Sequence, residues 1–213
     1  MTQRPTLRDC GFWRGEAVIL ASKSQGRARV LTQAGIPFEV EDSCFDERSL
    51  PDMDNIDARR QASILAREKA QIVSDRRKDR IVVGADQTLG FKNRTLHKSP
   101  DIKHAIAQLR MLSGTSHQLH SAVACMRDGD MLFEFVVSAR IEMRNLSENA
   151  LRAYAETMGE TILTTVGGYE IEGLGASLVA QIHGDIFTII GLPVFELLSG
   201  LREIGVIDEE GER

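Results

Sequence analysis

The sequence predicts a mixed α/β fold, with α+β character, in which one sheet contains a β-hairpin. Short apolar runs, residues 17–21 and 81–83 among them, alternate with stretches whose apolar residues have helical spacing. Two longer extended segments, residues 117–126 and 132–143, flank the dipeptide Asp128-Gly129, which is typical of hairpin turns. Because strands and helices do not alternate strictly, a mixed sheet is favoured over a doubly wound repeat.

The first half of the chain is predicted to hold three strands and two helices. The strands are residues 17–21, 37–40 and 81–83. A first helix, preceded by a polar and basic stretch, ends at Gly35, and a second helix extends from Ala58 to about Ser74. Residues 41–57 are acidic and rich in turn residues, so we expect a loop there.

The second half begins with a clear helix signal. Ser99-Pro100 combines a serine N-cap with proline at the first helical position, and the helix is expected to stop at Gly114. The remaining predicted elements are a helix from Ser147 to about Thr157, strands at residues 177–182 and 186–190, and a last helix that begins at Pro193.

The composition fits one globular unit and narrows the class of ligand. The chain has 213 residues, long enough for a sizeable core, and a net charge of −5. This acidic balance disfavours nucleic acid, and the low aromatic content of 5% argues against stacking on single strands. A small anion such as a nucleotide stays compatible, because a local basic pocket needs few side chains.

Cysteine usage and the N-terminal residues indicate a cytoplasmic protein. Cys10, Cys44 and Cys125 form no CxxC pair, so neither a disulfide framework nor a thiolate zinc site is predicted. Residues 1–16 carry charges and are followed by no long apolar run, unlike a secretory signal. We also expect no membrane span, since no apolar stretch is long enough.

A serine-rich, basic turn follows the first predicted strand in Leu20-Ala21-Ser22-Lys23-Ser24-Gln25-Gly26-Arg27. Backbone N–H groups, hydroxyls and a guanidinium at a helix start can bind a phosphate. The turn is not a Walker loop, since it lacks the GxxxxGK[ST] pattern. Serines that merely cap the following helix are the alternative, and both interpretations stay open here.

Asp86 is a candidate catalytic or metal-binding carboxylate. It comes directly after an apolar run in Val83-Gly84-Ala85-Asp86, a place where α/β proteins hold ligand-binding groups. There it could bind a divalent cation or accept a proton from water, although a turn cap is the alternative. Lys69, on a helix face among small and apolar residues, and Lys98, in a loop, either contact phosphates or extend to solvent.

Two further features carry weaker signals. The glycine-rich segment 167–175 lets the backbone approach either a ligand or another strand closely. His117 and His120 are three positions apart on a predicted strand, so they face opposite sides and make a poor metal pair.

Taken together in this order, the segments resemble the Maf family, the septum-formation-inhibitor-like nucleotide pyrophosphatases of the ITPase-like superfamily. The resemblance extends from about Ala17 to Ile207. Residues 20–24 resemble the family opening LASxSP(R/W)R, and Gly84-Ala85-Asp86 resembles its GAD or GSD motif. The further matches are Asp46-Glu47 to a DE pair, residues 65–70 to LAxxKA, His97-Lys98 to GKP, residues 112–117 to LSGxxH, residues 168–173 to GxYxIQG and residues 191–193 to VGLP.

The resemblance implies an elongated mixed sheet with two lobes flanking a central cleft. It implies one domain at residues 17–207, an N-terminal extension at 1–16 and a polar tail at 208–213. The implied reaction is hydrolysis of the bond between the α- and β-phosphates of a nucleoside triphosphate, assisted by Mg²⁺ or Mn²⁺. A homodimer is also expected.

The resemblance further assigns roles to individual residues. Asp86 matches the proton acceptor and, with Glu47, the metal-binding position. The matches to positions that contact the phosphates are Ser22, Arg27, Lys69 and Lys98. We expect the neighbouring cations to keep Asp86 ionised.

Three family positions set the base preference, and this chain carries Gly26, Gln87 and Glu172 there. The branch that prefers thymidine and uridine triphosphates carries arginine, threonine and glutamine, whereas the branch that prefers 7-methyl-GTP carries tryptophan, glutamine and glutamate. Glu172 could accept hydrogen bonds from guanine-type N–H donors, but the missing tryptophan removes a stacking surface for a cationic base. A 7-methyl-GTP preference is the hypothesis, and dTTP or UTP is the alternative.

Four departures from the family pattern motivate a different class of function. Gln25 and Ser99 replace prolines, Gly26 replaces a large side chain, and Thr165 replaces a lysine. A catalytically impaired, regulatory nucleotide-binding protein of cell division is therefore the alternative, although the carboxylate and the cations of the enzyme are retained. A dinucleotide-binding oxidoreductase is disfavoured, since no GxGxxG follows a strand.

Overall fold

A computed structural model describes residues 4–208, the side chains of Arg48 and Asp54 excepted. Within this range the chain forms one sheet of seven strands and six α-helices. The strands are β1 (Val18–Leu20), β2 (Phe38–Val40), β3 (Val82–Phe91), β4 (Arg94–Leu96), β5 (Ser116–Arg127), β6 (Asp130–Met143) and β7 (Val179–His183). The helices are α1 (Gln25–Gln33), α2 (Ala58–Arg76), α3 (Ile102–Leu112), α4 (Glu148–Met158), α5 (Ile186–Ile190) and α6 (Val194–Glu203).

The sheet is mixed, as predicted. Its order is β2-β1-β3-β5-β6-β7, with β4 paired to β3; β1 runs parallel to β2 and β3, and the other pairs are antiparallel. The predicted hairpin joins β5 to β6, and both turn residues have positive φ, 56° at Asp128 and 87° at Gly129. Asparagine, aspartate and glycine tolerate this conformation best, which explains the dipeptide.

A gap in one edge of β3 positions the site. Strand β1 pairs with β3 up to Val83, and β4 pairs with it from Leu89 onward, so residues 84–88 have no strand neighbour on this edge within the described chain. Consecutive strand residues face opposite sides of the sheet. Side chains from both faces of β3 therefore reach the same opening at this gap.

Two apolar clusters flank the gap and form the two lobes that the resemblance implied. The first joins α1 and α6 to β1, β3 and β5, with Leu20, Val83 and Leu197 fully buried. The second joins α3 and α4 to the far ends of β3, β5 and β6, with Leu89 and Ile141 fully buried. On the opposite face, Ala62, Ala66 and Ala70 of α2 pack on the sheet, where they meet Ala122 and Ala124 of β5.

Strand β3 is longer than the sequence predicted. The strand predicted at residues 81–83 is present, but its predicted end was wrong, because pairing with β5 continues to Gly90 and brings Asp86 into the middle of the strand. The first helix also begins earlier than its apolar residues suggested, at Gln25, where Ser24 caps it. The predicted start of the third helix at Ser99-Pro100 was wrong too, since Asp101 is the N-cap.

The predicted strand at residues 186–190 is helix α5. A five-residue apolar run fits either element, and here Asp185 caps a helix by accepting a hydrogen bond from the Thr188 backbone N–H at 2.8 Å. The predicted strand at 177–182 is shifted, because residues 174–178 form a 3₁₀ turn before β7. The predicted helices at Ser147 and Pro193 are confirmed.

The described part of the N-terminal extension packs on the first lobe. Trp13 is buried within the first cluster, and its indole Nε1–H donates to the Glu16 carbonyl at 3.0 Å. Its backbone forms a bridge with Ile207 near the other end of the chain. Residues 1–3 and 209–213, the latter most of the predicted tail, lie outside the described range. Among the described helices, none is long and apolar enough to cross a membrane.

Candidate active site

A cleft of about 1990 Å³ opens at the gap in β3 between the two lobes. Every site residue predicted from the sequence lines it. These residues are Ser22, Gly26, Arg27, Glu47, Lys69, Asp86, Gln87, Lys98 and Glu172. They come from six separate segments of the chain, so their assembly in one cavity supports the prediction that they form a common site.

Asp86 and Lys69 form the floor of the cleft. Asp86 is only 7% exposed, and its carboxylate accepts a hydrogen bond from the Lys69 ammonium, which projects from α2. The same ammonium also donates to Glu47 Oε1 at 2.7 Å. Lys69 therefore bridges two carboxylates, and its side chain does not extend to solvent as the alternative interpretation held.

Burial and two neighbouring cations have opposite effects on the pKa of the Asp86 carboxyl. Burial raises this pKa above the usual value, and the opposing effects of the Lys69 and Arg27 charges do not cancel it. The Lys69 and Arg27 charges favour the ionised carboxylate, as expected, and burial opposes them; ionisation of Asp86 stays a prediction. A raised pKa makes the carboxylate a stronger base, which suits a proton acceptor.

The serine-rich turn both caps α1 and orients an arginine. Ser24 Oγ accepts the Arg27 backbone N–H at 3.4 Å, so the capping interpretation is confirmed for this residue. Ser22 Oγ accepts the Ser24 backbone N–H at 3.3 Å and the Arg27 Nη1 group at 2.9 Å. The turn therefore positions the guanidinium from within the same segment.

Arg27 is held on two sides and forms no ion pair with a described carboxylate. It is 9% exposed, and its Nε–H donates to the Gly191 carbonyl at 3.0 Å, while Nη2 bonds to no described residue. Burial lowers the pKa of Arg27, and partial burial together with the Arg27 charge lowers that of Lys98. Neither cation forms an ion pair with a described carboxylate, so the cleft has positive charge available for an anionic ligand.

The Gln87 side chain lies on the side of β3 opposite to that of Asp86, and hydrogen bonds to α5 hold it in place. Its Nε2 group lies within hydrogen-bond distance of the Thr188 and Ile189 carbonyls, both at 2.9 Å, and of Ser121 Oγ at 3.1 Å. The amide nitrogen is therefore occupied, which leaves Oε1 as the atom available to a ligand. The helix that the sequence analysis mistook for a strand supplies two of these acceptors.

Glu172 is engaged by a residue that the sequence analysis missed. The Arg29 Nη2 group donates to Glu172 Oε2 at 2.9 Å, across the mouth of the cleft. Arg29 lies three positions after Gly26 on α1, so both are on one helix face, and this spacing was the available signal. A Cβ at position 26 would lie 3.3 Å from Ile190 Cγ2, so α5 occupies space beside Gly26.

The glycine-rich segment is anchored by buried aromatic residues. The Tyr169 hydroxyl lies 2.6 Å from His117 Nε2, and the Tyr154 hydroxyl donates to the Gly168 carbonyl at 3.2 Å. Gly175 lies so close to the Glu170 backbone that an added Cβ would be 2.5 Å from its carbonyl oxygen. The glycines therefore serve a close approach within the segment, which holds Glu172 at the cleft.

Because His117 is buried, we expect the folded protein to lose stability in mild acid. Burial lowers the pKa of His117 from 6.5 to about 4, so the folded protein resists protonation that the unfolded chain accepts. Stability is then lost as the pH falls through 6.5 towards 4, and this group alone should remove about 2 kcal/mol of unfolding free energy between pH 8 and pH 5. Urea unfolding at the two pH values measures the loss. His117→Gln should lose less over the same interval, and an identical loss would refute the assignment.

The carboxylates of the cleft fit a hard divalent cation. Mg²⁺ in nucleotide enzymes is usually held by one or two carboxylates together with phosphate oxygens and water. Asp86 and Glu47 present two carboxylates around the Lys69 ammonium, which already marks the position as one for positive charge. Among the described residues no group of three or more His, Cys, Asp or Glu side chains that could hold a metal ion occurs.

A comparison with known protein families shows to which family the chain belongs. The family model described as Maf-like protein matches residues 17–204. The chain belongs to the Maf-like family. The matched residues cover both lobes and all the cleft residues predicted from the sequence, which confirms the family resemblance.

Curated relatives of this Maf-like protein are similar along almost their whole length. A protein of Rhodopseudomonas palustris strain BisB5, named nucleoside triphosphate pyrophosphatase, is 45% identical over 193 residues, 90% of this chain and 96% of that protein. A Rhizobium etli protein named 7-methyl-GTP pyrophosphatase is 42% identical over 194 residues, 90% of this chain and 98% of that protein. Among solved structures, a HAM1 protein from Coxiella burnetii is 16% identical and covers 62% of this chain and 75% of that chain, with a TM-score of 0.40, a likeness too weak to establish a fold.

Proposed function

We propose that this Maf-like protein is a cytoplasmic hydrolase that converts a nucleoside triphosphate to its monophosphate and pyrophosphate. The observation that carries the proposal is a buried carboxylate, Asp86, in a cleft where Arg27 and Lys98 have no anionic partner among the described residues. A triphosphate brings several negative charges, and these cations can offset them. The names of the curated relatives support the same reaction.

In this proposal each cleft residue has a defined task. Arg27, which Ser22 holds through a hydrogen bond, binds phosphate oxygens through its remaining N–H groups, and Lys98 neutralises further charge. Asp86 accepts a proton from the attacking water as the bond between the α- and β-phosphates breaks, and pyrophosphate leaves. Lys69 holds the Asp86 carboxylate in place and exchanges its contact with Glu47 for one with the phosphates.

Mg²⁺ or Mn²⁺ is the proposed cofactor, held by Asp86 and Glu47. Such an ion supplies charge neutralisation and orientation of the phosphates when it is bound. A homodimer, expected from the family resemblance, stays a prediction for measurement of the mass in solution.

We propose that base recognition depends on Glu172 together with Arg29. The ion pair orients one carboxylate oxygen and leaves the other for guanine-type N–H donors, while Gln87 Oε1 accepts from a further donor. This arrangement favours 7-methyl-GTP, and dTTP or UTP is the alternative. Gly26 provides no stacking surface, so the preference rests on hydrogen bonds alone.

A panel of nucleotides tests both the proposed reaction and the proposed base preference. Purified protein with Mg²⁺ or Mn²⁺ is given 7-methyl-GTP, GTP, dTTP and UTP, and pyrophosphate release is measured with and without a chelator. We expect release that needs the metal, and kcat/KM highest for 7-methyl-GTP. Equal or reversed rates for dTTP and UTP would overturn the base preference. Absence of release with every nucleotide would favour the impaired, regulatory alternative.

Substitution of Glu172 should alter selectivity more than turnover. Glu172→Gln keeps the shape but loses the charge that accepts two base N–H groups, so the ratio of kcat/KM for 7-methyl-GTP over UTP should fall about tenfold or more. Arg29→Gln, which frees the carboxylate, should lower the ratio less. Glu160→Gln, an exposed glutamate outside the cleft, is the matched control. A parallel fall for both nucleotides would contradict a role in base recognition.

A further inference from the structure

A second cavity of about 930 Å³ lies beside the cleft, where the start of α2 meets the β3–β4 hairpin. It shares the lining residues Asn55, Gln61 and Thr95 with the cleft, so the two spaces are neighbours. The shared wall is well anchored, because Gln61 is 2% exposed and its amide Nε2 donates to the Met53 and Ile56 carbonyls at 2.7 and 3.0 Å.

The lining of this cavity is rich in cations that lack anionic partners. Arg59, Lys92 and Arg94 line it, and none forms an ion pair with a described carboxylate. Arg140 also lines it but is paired with Glu142 at 2.9 Å. The described carboxylate in the lining is Asp57, which caps α2 by accepting the Arg60 backbone N–H at 2.9 Å. The whole chain has a net charge of −5, so the positive charge of this lining is a local feature of the cavity.

His120 adds a buried hydrogen-bond donor to the same cavity. It is 7% exposed, and its Nδ1 lies 2.7 Å from Ser138 Oγ, which accepts Arg59 Nη1 at 2.9 Å. Because the serine oxygen accepts from Arg59, its own hydrogen can donate to Nδ1, and on this pattern we assign the ring proton to Nε2. The Nε2 atom lies 3.1 Å from where a Cβ on Gly90 would be, so no side chain of residue 90 covers it.

We propose that this cavity is a second anion site, which binds inorganic pyrophosphate through Arg59, Arg94 and His120. Guanidinium groups and a neutral imidazole N–H are suitable donors for phosphate oxygens, and Lys92 supplies further positive charge. The choice of pyrophosphate rests on the proposed function, since the adjoining cleft would release that product. Orthophosphate or the phosphate of a nucleoside monophosphate would offer the same oxygen chemistry.

Histidine NMR separates the two sites. His97 lines the cleft and His120 lines the second cavity, so their ring resonances report on the sites independently. Protein labelled at histidine is titrated with sodium pyrophosphate at constant ionic strength, with His97→Gln and His120→Gln used for assignment. We expect a saturable shift of His120 at pyrophosphate concentrations where sodium chloride has no effect. A His120 resonance that stays unchanged while His97 shifts would overturn the proposal.

A double substitution identifies the groups that bind. In Arg59→Gln with Arg94→Gln, both side chains being exposed, the apparent Kd reported by His120 should rise about tenfold or more while the His97 titration is unchanged. Arg144→Gln with Arg152→Gln removes the same charge elsewhere and should leave both titrations as in the parent protein. Equal effects of the two double variants on His120 would refute a specific site.

Further titrations distinguish the sources of the phosphate group. Orthophosphate and a nucleoside monophosphate should shift His120 only at higher concentration, and a response to the monophosphate alone would overturn the assignment to pyrophosphate. These measurements need no turnover. A protein that failed to release pyrophosphate in the substrate panel would refute the proposed function and leave the binding result intact.

Discussion

We expect Asp86→Asn to lower kcat for pyrophosphate release by roughly 10²–10⁴-fold, the usual contribution of a positioned general base. Asparagine has the same shape but cannot accept the proton of the attacking water. The fold should tolerate the change, because Lys69 keeps its bond to Glu47 at 2.7 Å and a buried carboxylate, whose pKa burial raises, is removed. Rates are measured at saturating nucleotide and metal, and unfolding in urea checks the fold.

The control for this substitution is Asp130→Asn at the exposed start of β6. It makes the same chemical change outside the cleft and should leave kcat unaltered. If Asp86→Asn turned over substrate at the parent rate, another group would have to accept the proton, and the role assigned to Asp86 would be wrong.

We expect Gly84→Ala to destabilise the protein by about 3 kcal/mol, the upper range for an overpacked core. A Cβ at position 84 would lie 2.2 Å from the Ala66 carbonyl oxygen and 2.6 Å from the Ala70 backbone nitrogen, so α2 must move away from β3. Lys69 lies between these two alanines on α2, and its contact with Asp86 would move with the helix. Stability and turnover should therefore fall together, as measured by urea unfolding and pyrophosphate release.

Gly173→Ala is the matched comparison for this effect. Its nearest neighbour to an added Cβ is the Glu170 carbonyl oxygen at 3.9 Å, and its φ of −129° is open to any residue. We expect a change within about 0.5 kcal/mol, although residue 173 belongs to the same family motif as Glu172. Similar losses for both alanines would show that the contact between α2 and β3 is not the cause.

Features with short-range causes were predictable from the sequence. Ser147 caps its helix through the backbone N–H three residues later, and Asp128-Gly129 adopts the positive φ values that a tight hairpin needs. The order of the motifs was enough to identify the family and the candidate residues. The caps and the turn depend on residues a few positions apart, whose spacing the sequence displays directly.

Contacts between distant segments were beyond the sequence analysis. The five-residue run at Ile186–Ile190 fits a strand or a helix, and Gln87 and Ser121 bind the carbonyl groups that its helical form presents. The spacing from Gly26 could have drawn attention to Arg29, but its partner Glu172 lies 143 positions away, so no local pattern indicated the pairing itself.

The sequence by itself determined which groups this protein brings to its cleft: one carboxylate after an apolar run, several cations and a family order of motifs. Only the tertiary structure decided their state. Asp86 is a buried strand residue with a raised pKa because β5 pairs along β3 and α2 covers that face. Lys69 contacts two carboxylates because Glu47, 22 positions earlier in the chain, folds back to it. Charge and residue type are local properties, whereas burial and distance are set by segments that meet only in the folded chain.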